Sequence, residues 1–428
     1  MRSIADLLRR DPQARRFFLA YGQSSLGTGA GYVALLLVAY QRFHSPWAIA
    51  LVLLADFVPP MFLAPVFGAV VDRWSRRWCA ITADAIRAAV FIGLAFISSF
   101  PLTVVLALLA GSATALSKPA LLAGLPEVVE RGRLSQATAL FGALTELGYT
   151  LGPGLAALTF IFTGPKWLLV ADAVTFAVSS GLLMTLKFGR ARVPGGAGQG
   201  RASILRDAKQ GLGALARLPA ARTSIVSTSS VLLFGGMVNV GELLLARKLG
   251  AGESGYSLFV AVSGLGIALG SLMGASGGEL PSLVRRFLAG ILLAAAGLLG
   301  TAAAPTFVSA LLCLAVLGFG NGLVIVYQRL IIQATVEDDL LGRTFGAQAA
   351  LDGFAFAASY LVAGAILALV SPRILFVIGG AGALAVWLVA RVVFARMHLA
   401  EVRKPAGAAA TEAAAGEPTA IAALETHR

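Results

Sequence analysis

An all-α polytopic membrane fold, with twelve transmembrane helices in two six-helix halves, is what this 428-residue sequence predicts. Three observations predict it. Apolar residues make up 58% of the chain and charged residues only 13%, against about 25% charged in soluble domains. The apolar residues gather into twelve runs of about the 20 residues that a helix needs to cross hydrocarbon. A single long polar stretch, 188–222, falls between the sixth and seventh runs and divides them evenly. The runs are continuous rather than alternating, which excludes the roughly ten-residue strands of a membrane barrel.

Taken in order, the first run, 17–40, follows a leader with Arg2, Arg9, Arg10, Arg15 and Arg16, and is long enough to remain as a span rather than be cleaved. The second, 47–71, has Asp56 near its middle, and the third, 78–98, carries Asp84 and Arg87 on one helix face. Ser112, Thr114 and Ser117 mark the fourth, 101–121, and Glu146 stands near the centre of the fifth, 137–162. Asp172 lies early in the sixth, 167–187, where interfacial hydration is enough for it. The seventh, 223–246, ends with Glu242 close to Arg247 and Lys248, again read as an interfacial acid. Then come 255–276, 284–303, 306–328 with Asn321 and Gln328, 344–369 with Asp352 a third of the way in, and 373–395.

The net charge of +13 is distributed as membrane orientation requires. With the N-terminus inside, 27 of the 34 basic residues fall on inner segments, whereas the outer loops hold only Arg42, Lys166, Arg247, Lys248 and Arg373. Both termini are therefore expected in the cytoplasm, and no nucleic-acid partner is needed to explain the charge. Within 188–222, apolar residues at helical spacing opposite Arg206, Lys209 and Arg217 predict an interfacial helix on anionic lipid. The expected organisation is a half at 1–187, a linker at 188–222, a half at 223–396 and a disordered cytoplasmic tail at 397–428. Cys79 and Cys313 are isolated, so neither a disulfide framework nor a metal site is expected. No G-x-x-x-x-G-K-[ST] or H-E-x-x-H occurs, so the chain reads as no enzyme, with no bound cofactor and with an ion gradient as its energy source.

Two motifs sharpen the reading. Gly68-x-x-x-Asp72-Arg73-x-x-Arg76-Arg77 joins spans two and three. A glycine there permits close helix approach, the carboxylate can meet a helix N-terminus, and the arginines can hold lipid phosphates. Span five carries Gly148-x-x-x-Gly152-Pro153-Gly154, a small-residue face with a bend. The first motif resembles the loop signature of the major facilitator superfamily, and the second resembles the Gly-Pro motif of its antiporters. The run from Pro59 to Asp84 and the pair Gln23 and Ser25 are similar to the drug-exporter branch that includes macrolide efflux and enterobactin export proteins. The resemblance implies a conformational latch at Gly68, Asp72, Arg73, Arg76 and Arg77, acting against the second half. Gly270, Gly274, Arg285 and Arg286 weakly repeat the motif, with the acid displaced to Glu279.

An ionised carboxylate at mid-membrane costs about 2.5–3.5 kcal/mol, which makes Asp56, Glu146 and Asp352 the proton-coupling candidates. Asp84 and Arg87 are expected to support each other as a charge pair. The resemblance implies a cavity lined by spans one, four, seven and ten, with Gln23, Ser25, Tyr32, Ser112, Asn239, Asn321 and Gln328 as candidates. Only Lys118 and Arg329 bring basic charge near it, so an amphipathic or lipophilic small molecule is the expected cargo and strongly anionic metabolites are not. The expectation is a monomeric, proton-driven exporter of the bacterial inner membrane, with lipids around it as its other partners. A lipid or lysolipid translocator and a siderophore exporter are alternatives within the fold, and a transport-inactive scaffold or receptor is a remote one.

Overall fold

A computed structural model describes residues 8–9, 11–188, 218–273 and 278–397, which form twelve long helices. They are α1 (Pro12–Phe43), α2 (Pro46–Arg73), α3 (Arg76–Phe96), α4 (Phe100–Val128), α5 (Leu134–Thr163), α6 (Pro165–Met184), α7 (Pro219–Lys248), α8 (Gly252–Met273), α9 (Leu280–Ala303), α10 (Phe307–Thr335), α11 (Asp338–Leu367) and α12 (Pro372–Ala395). The linker at 189–217, with its expected interfacial helix, and the tail from 398 lie outside the described residues, as does Gly274.

Local chemistry sets the helix starts. Pro12, Pro46, Pro165, Pro219 and Pro372 occupy first helical positions, where a fixed φ helps and the missing N–H costs nothing. Asp11 caps α1 by accepting from the backbone N–H groups of Gln13 (2.8 Å) and Ala14 (3.1 Å). Pro219 starts α7 ahead of the expected 223, because hydropathy counts Arg222 as loop whereas the proline already sets the helix. Ten of the helices are long and apolar enough to span a membrane on their own composition; α1 and α5 are not among them. These two are rich in Gly, Ser and Thr because each lies against the other. A Cβ on Gly152 would sit 2.7 Å from the backbone of Gly29 and Ala30, so only glycine lets the backbones approach.

The packing repeats with a period of six helices. α1 packs on α5 and α6, α3 on α4 and α6, and α2 on α4; α7 likewise packs on α11 and α12, α9 on α10 and α12, and α8 on α10. The two halves meet along two seams, α2 with α11 and α5 with α8. They meet unevenly. One hydrophobic core runs through both halves at the face away from the termini, joining Val33–Ala39, Ile49–Ala55, Val238–Ala246, Tyr256, Phe259 and Tyr360. At the face carrying the helix ends near the termini the cores are separate, with Phe17, Val71, Leu121 and Phe188 in the first half and Phe287, Tyr327, Ile331 and Phe394 in the second. Among the described residues the buried core is therefore continuous between the halves at the far face and divided at the terminal face.

Far-face basic residues secure the closed end. Arg42 donates to the carbonyls of Leu94 (2.7 Å), Ala95 (2.7 Å) and Ile97, capping the C-terminus of α3. Arg373 does the same for α9 through Ala304 O (2.7 Å). Arg247 pairs with Glu253 and stacks over Tyr40 of the other half at 4.6 Å, while Gln41 donates to Glu253 at 3.5 Å.

Candidate functional site

Five helices from both halves converge on a polar cluster just below the closed face. α1 brings Tyr32, α2 Asp56, α7 Asn239 and Glu242, α8 Tyr256, and α11 Tyr360. Asn239 Nδ2 donates to Tyr360 Oη at 3.4 Å. Tyr32, Tyr256 and Tyr360 lie within electrostatic reach of Glu242, and Tyr32 and Tyr360 also of Asp56. Phe57 packs edge-on to Tyr32 (6.3 Å) and Tyr360 (5.9 Å), tying α2 to α1 and α11. Glu242 is 6% exposed and Tyr256 Oη is buried without a hydrogen-bond partner. The interfacial reading of Glu242 is thus corrected: its helix runs on past it to Lys248, which leaves the carboxyl inside the core between the halves.

A second constellation lies within the first half. Asp84 and Arg87 form a buried ion pair; Ser179 donates to Asp84 at 2.6 Å, and Arg87 donates to Ser117 at 3.0 Å. The guanidinium sits 4.2 Å from the Phe176 ring. Asp172 is also buried, at 1% exposure, which corrects its interfacial placement: Gly27 and Gly31 of α1 leave the space its carboxylate fills. Thr175 donates to its Oδ1 at 3.0 Å while Oδ2 has no hydrogen-bond partner. Arg87 is within electrostatic reach of both Asp56 and Asp172. It also lines a pocket with Tyr21, Ser25, Thr28, Thr114, Ser117, Lys118 and Thr145, so basic charge enters the cavity at a residue expected to serve only as a support.

Among the other expected residues, Asp352 accepts from Ser229 (2.6 Å) and Gln348 (3.3 Å), and Gln348 donates to Gln328 (3.2 Å), a polar chain held inside the second half. Gln328 is buried in that chain. Gln23 donates to Ala20 O at 3.0 Å and Thr175 O at 2.8 Å, and Ser112 donates to Leu108 O at 2.7 Å. Asn321 is half-buried on α10. The side chains of Glu146 and Asp72 lie outside the described part.

In the Gly68–Arg77 motif, Arg76 pairs with Glu127 at 2.6 Å and donates to Ala123 O, while Arg77 donates to Met184 O. These two arginines hold the last turns of α4 and α6. Arg73 is exposed. No atom lies within 4 Å of a Cβ built on Gly68, so this glycine makes no close helix approach. Close approach occurs instead at Gly148 and Gly152 against α1, and Gly154 faces Ala261 of the other half. Gly270 packs on Phe319 and Gly322 of α10.

The signals for the missed residues were faint. Tyr256 and Tyr360 stand beside Ser257 and Ser359 in otherwise apolar runs, and only the fold brings Tyr360 next to Asn239, 121 positions away.

A family model described as Major Facilitator Superfamily matches residues 17–286. The chain is 29% identical to the uncharacterized MFS-type transporter Rv0037c of Mycobacterium tuberculosis, over 80% of this chain and 82% of that one. It is 26% identical to the enterobactin exporter EntS of Salmonella typhimurium, over 92% and 94%. Among solved structures, a nucleoside transporter NupG mutant superposes with a TM-score of 0.72 at 14% identity, over 89% of this chain and all (100%) of that one. A bacterial homolog of the lysosomal transporter Spinster, inward-facing and occupied, gives 0.69 at 12% identity, over 92% and 98%.

Proposed function

The chain belongs to the Major Facilitator Superfamily, and on that premise we propose that it is a secondary active exporter of amphipathic or lipophilic small molecules, driven by proton antiport through alternating access. The observation that carries the reading is the uneven meeting of the halves: one shared core at the far face and separate cores at the terminal face. With the termini in the cytoplasm, as the excess of inner Lys and Arg favours, the parted face receives cargo from inside a bacterial cell. Release requires the opposite state, in which the far-face contacts of Arg247, Tyr40, Gln41 and Glu253 part. Export as the direction is supported by the likeness to the protein named an enterobactin exporter, which also favours a natural product among the cargoes.

Coupling is assigned to Asp56, as the sequence suggests, together with Glu242, since both stand in the cluster between the halves. A proton at this position changes the cost of holding the cluster dry, and that cost differs between a closed and an opened far face. Asp352 is a weaker candidate because Ser229 and Gln348 already satisfy it within one half.

The test uses inside-out membrane vesicles, energised and loaded with a pH-sensitive dye. Amphipathic drugs, siderophores and lysolipids are added in turn to wild type, Asp56→Asn and Glu242→Gln. Proton release triggered by one class and lost in either variant is the expected result. Release that survives in both variants moves coupling to Glu146 or Asp352, and no release by any class from folded protein overturns the exporter reading.

A further inference from the structure

We infer that the pocket between α1, α3, α4 and α5 is a subsite for the acidic group of an amphipathic cargo, held by Lys118 and Arg87. This deepens the exporter reading and rests on it. The pocket is lined by Tyr21, Ser25, Thr28, Arg87, Thr114, Ser117, Lys118 and Thr145. Its chemistry follows from counting which hydrogens are already engaged. Thr28, Thr114 and Thr145 donate to carbonyls of their own helices at 2.9–3.0 Å. The Tyr21 and Thr145 hydroxyls are joined by a 2.6 Å hydrogen bond. Ser117 lies 3.4 Å from Asp84 and accepts from Arg87. These hydroxyls therefore turn lone pairs to the pocket and accept from a ligand's O–H or N–H groups.

Two cationic donors line the pocket as well. Arg87 is 8% exposed, its Nε–H has no hydrogen-bond partner, and it lines the pocket. Lys118 is exposed beside it, and Pro119, next in sequence, interrupts the α4 hydrogen-bond ladder at that level. Asp84 pairs with Arg87, and Lys118 brings a second positive charge to the pocket. A ligand carrying a carboxylate, sulfonate, phosphate or phenolate together with hydroxyl or amide donors meets both demands. The acidic group has two sources, a free amphipath or an anionic lipid headgroup from the surrounding leaflet.

The experiment uses the full chain in phosphatidylcholine nanodiscs, titrated with two matched dyes, anionic 8-anilinonaphthalene-1-sulfonate and neutral N-phenyl-1-naphthylamine, with empty discs as blank. The expected result is saturable sulfonate binding that Lys118→Glu weakens about tenfold or more and Lys118→Arg preserves, with the neutral dye unchanged within about twofold. Arg87→Lys tests the second cation, and because Lys118 is exposed the inference stands or falls even if that buried variant does not fold. Adding phosphatidylglycerol to the discs distinguishes the sources: competition with the sulfonate dye indicates a lipid headgroup, and unchanged binding indicates a free amphipath. Sulfonate binding untouched by Lys118→Glu, or both dyes lost together, overturns the subsite. If proton release by an uncharged cargo persists in that case, the exporter reading survives; if the sulfonate site responds as expected but no cargo moves protons, the exporter reading fails alone.

Discussion

At the scale of single residues, the glycines of the two motifs separate sharply. Gly152 faces α1 so closely that a Cβ would lie 2.7 Å from backbone atoms of Leu26 and Ala30, whereas Gly68 has open space around it. Gly152→Val should therefore destabilise the protein by about 1–3 kcal/mol through overpacking. Gly68→Ala should stabilise it slightly, by roughly 0.5–1 kcal/mol, because alanine loses less entropy in a helix. Thermal unfolding of both variants in detergent checks the pair, and equal shifts would refute the packing assignment. Both glycines stood out in the sequence by spacing alone. Spacing does not say which face of a helix meets a neighbour, so the two looked alike until α1 was seen against α5. The acids behaved in the same way. Asp56 read as a mid-membrane carboxyl and sits in the central cluster, but Glu242 and Asp172 read as interfacial because only their distance from a span end was visible.

At the scale of helices, the α5–α8 seam is one of the two element pairs along which the halves meet. A Cβ built on Gly154 lies 3.7 Å from that of Ala261, inside the roughly 3.5–4.5 Å that a disulfide needs. With Cys79 and Cys313 replaced by alanine, Gly154→Cys with Ala261→Cys should cross-link under mild oxidation, stop proton release, and recover it on reduction. A bridge that forms without affecting release would mean that this seam stays closed throughout the cycle. The helix inventory itself was legible because twelve apolar runs need only composition along the chain. The starts were less so: α1 begins at Pro12 and α7 at Pro219, ahead of the apolar runs, since a cap or a proline starts a helix where hydropathy still reads loop.

At the scale of the whole molecule, the core that is shared at the far face and divided at the terminal face makes a directional prediction. Ser25→Cys, in the pocket, should react with a membrane-impermeant maleimide added from the cytoplasmic side and resist the same reagent from the far side. If the Gly68–Arg77 motif latches the terminal face shut in the opposite state, Asp72→Asn should raise the cytoplasmic labelling rate about twofold or more by shifting the two-state population. Unchanged labelling in that variant removes the latch. The sequence by itself determined the membrane class, the twelve long helices, the division into six and six, and the charge bias between segments, because each is a sum over neighbouring residues. Only the tertiary structure decided which face is closed, that Arg87 lines a pocket, and that Glu242 shares a cluster with Tyr32, Tyr256 and Tyr360. Those outcomes depend on helices far apart in the chain: Ser179 reaches Asp84 across 95 positions and Ser229 reaches Asp352 across 123, and no local pattern encodes such a meeting.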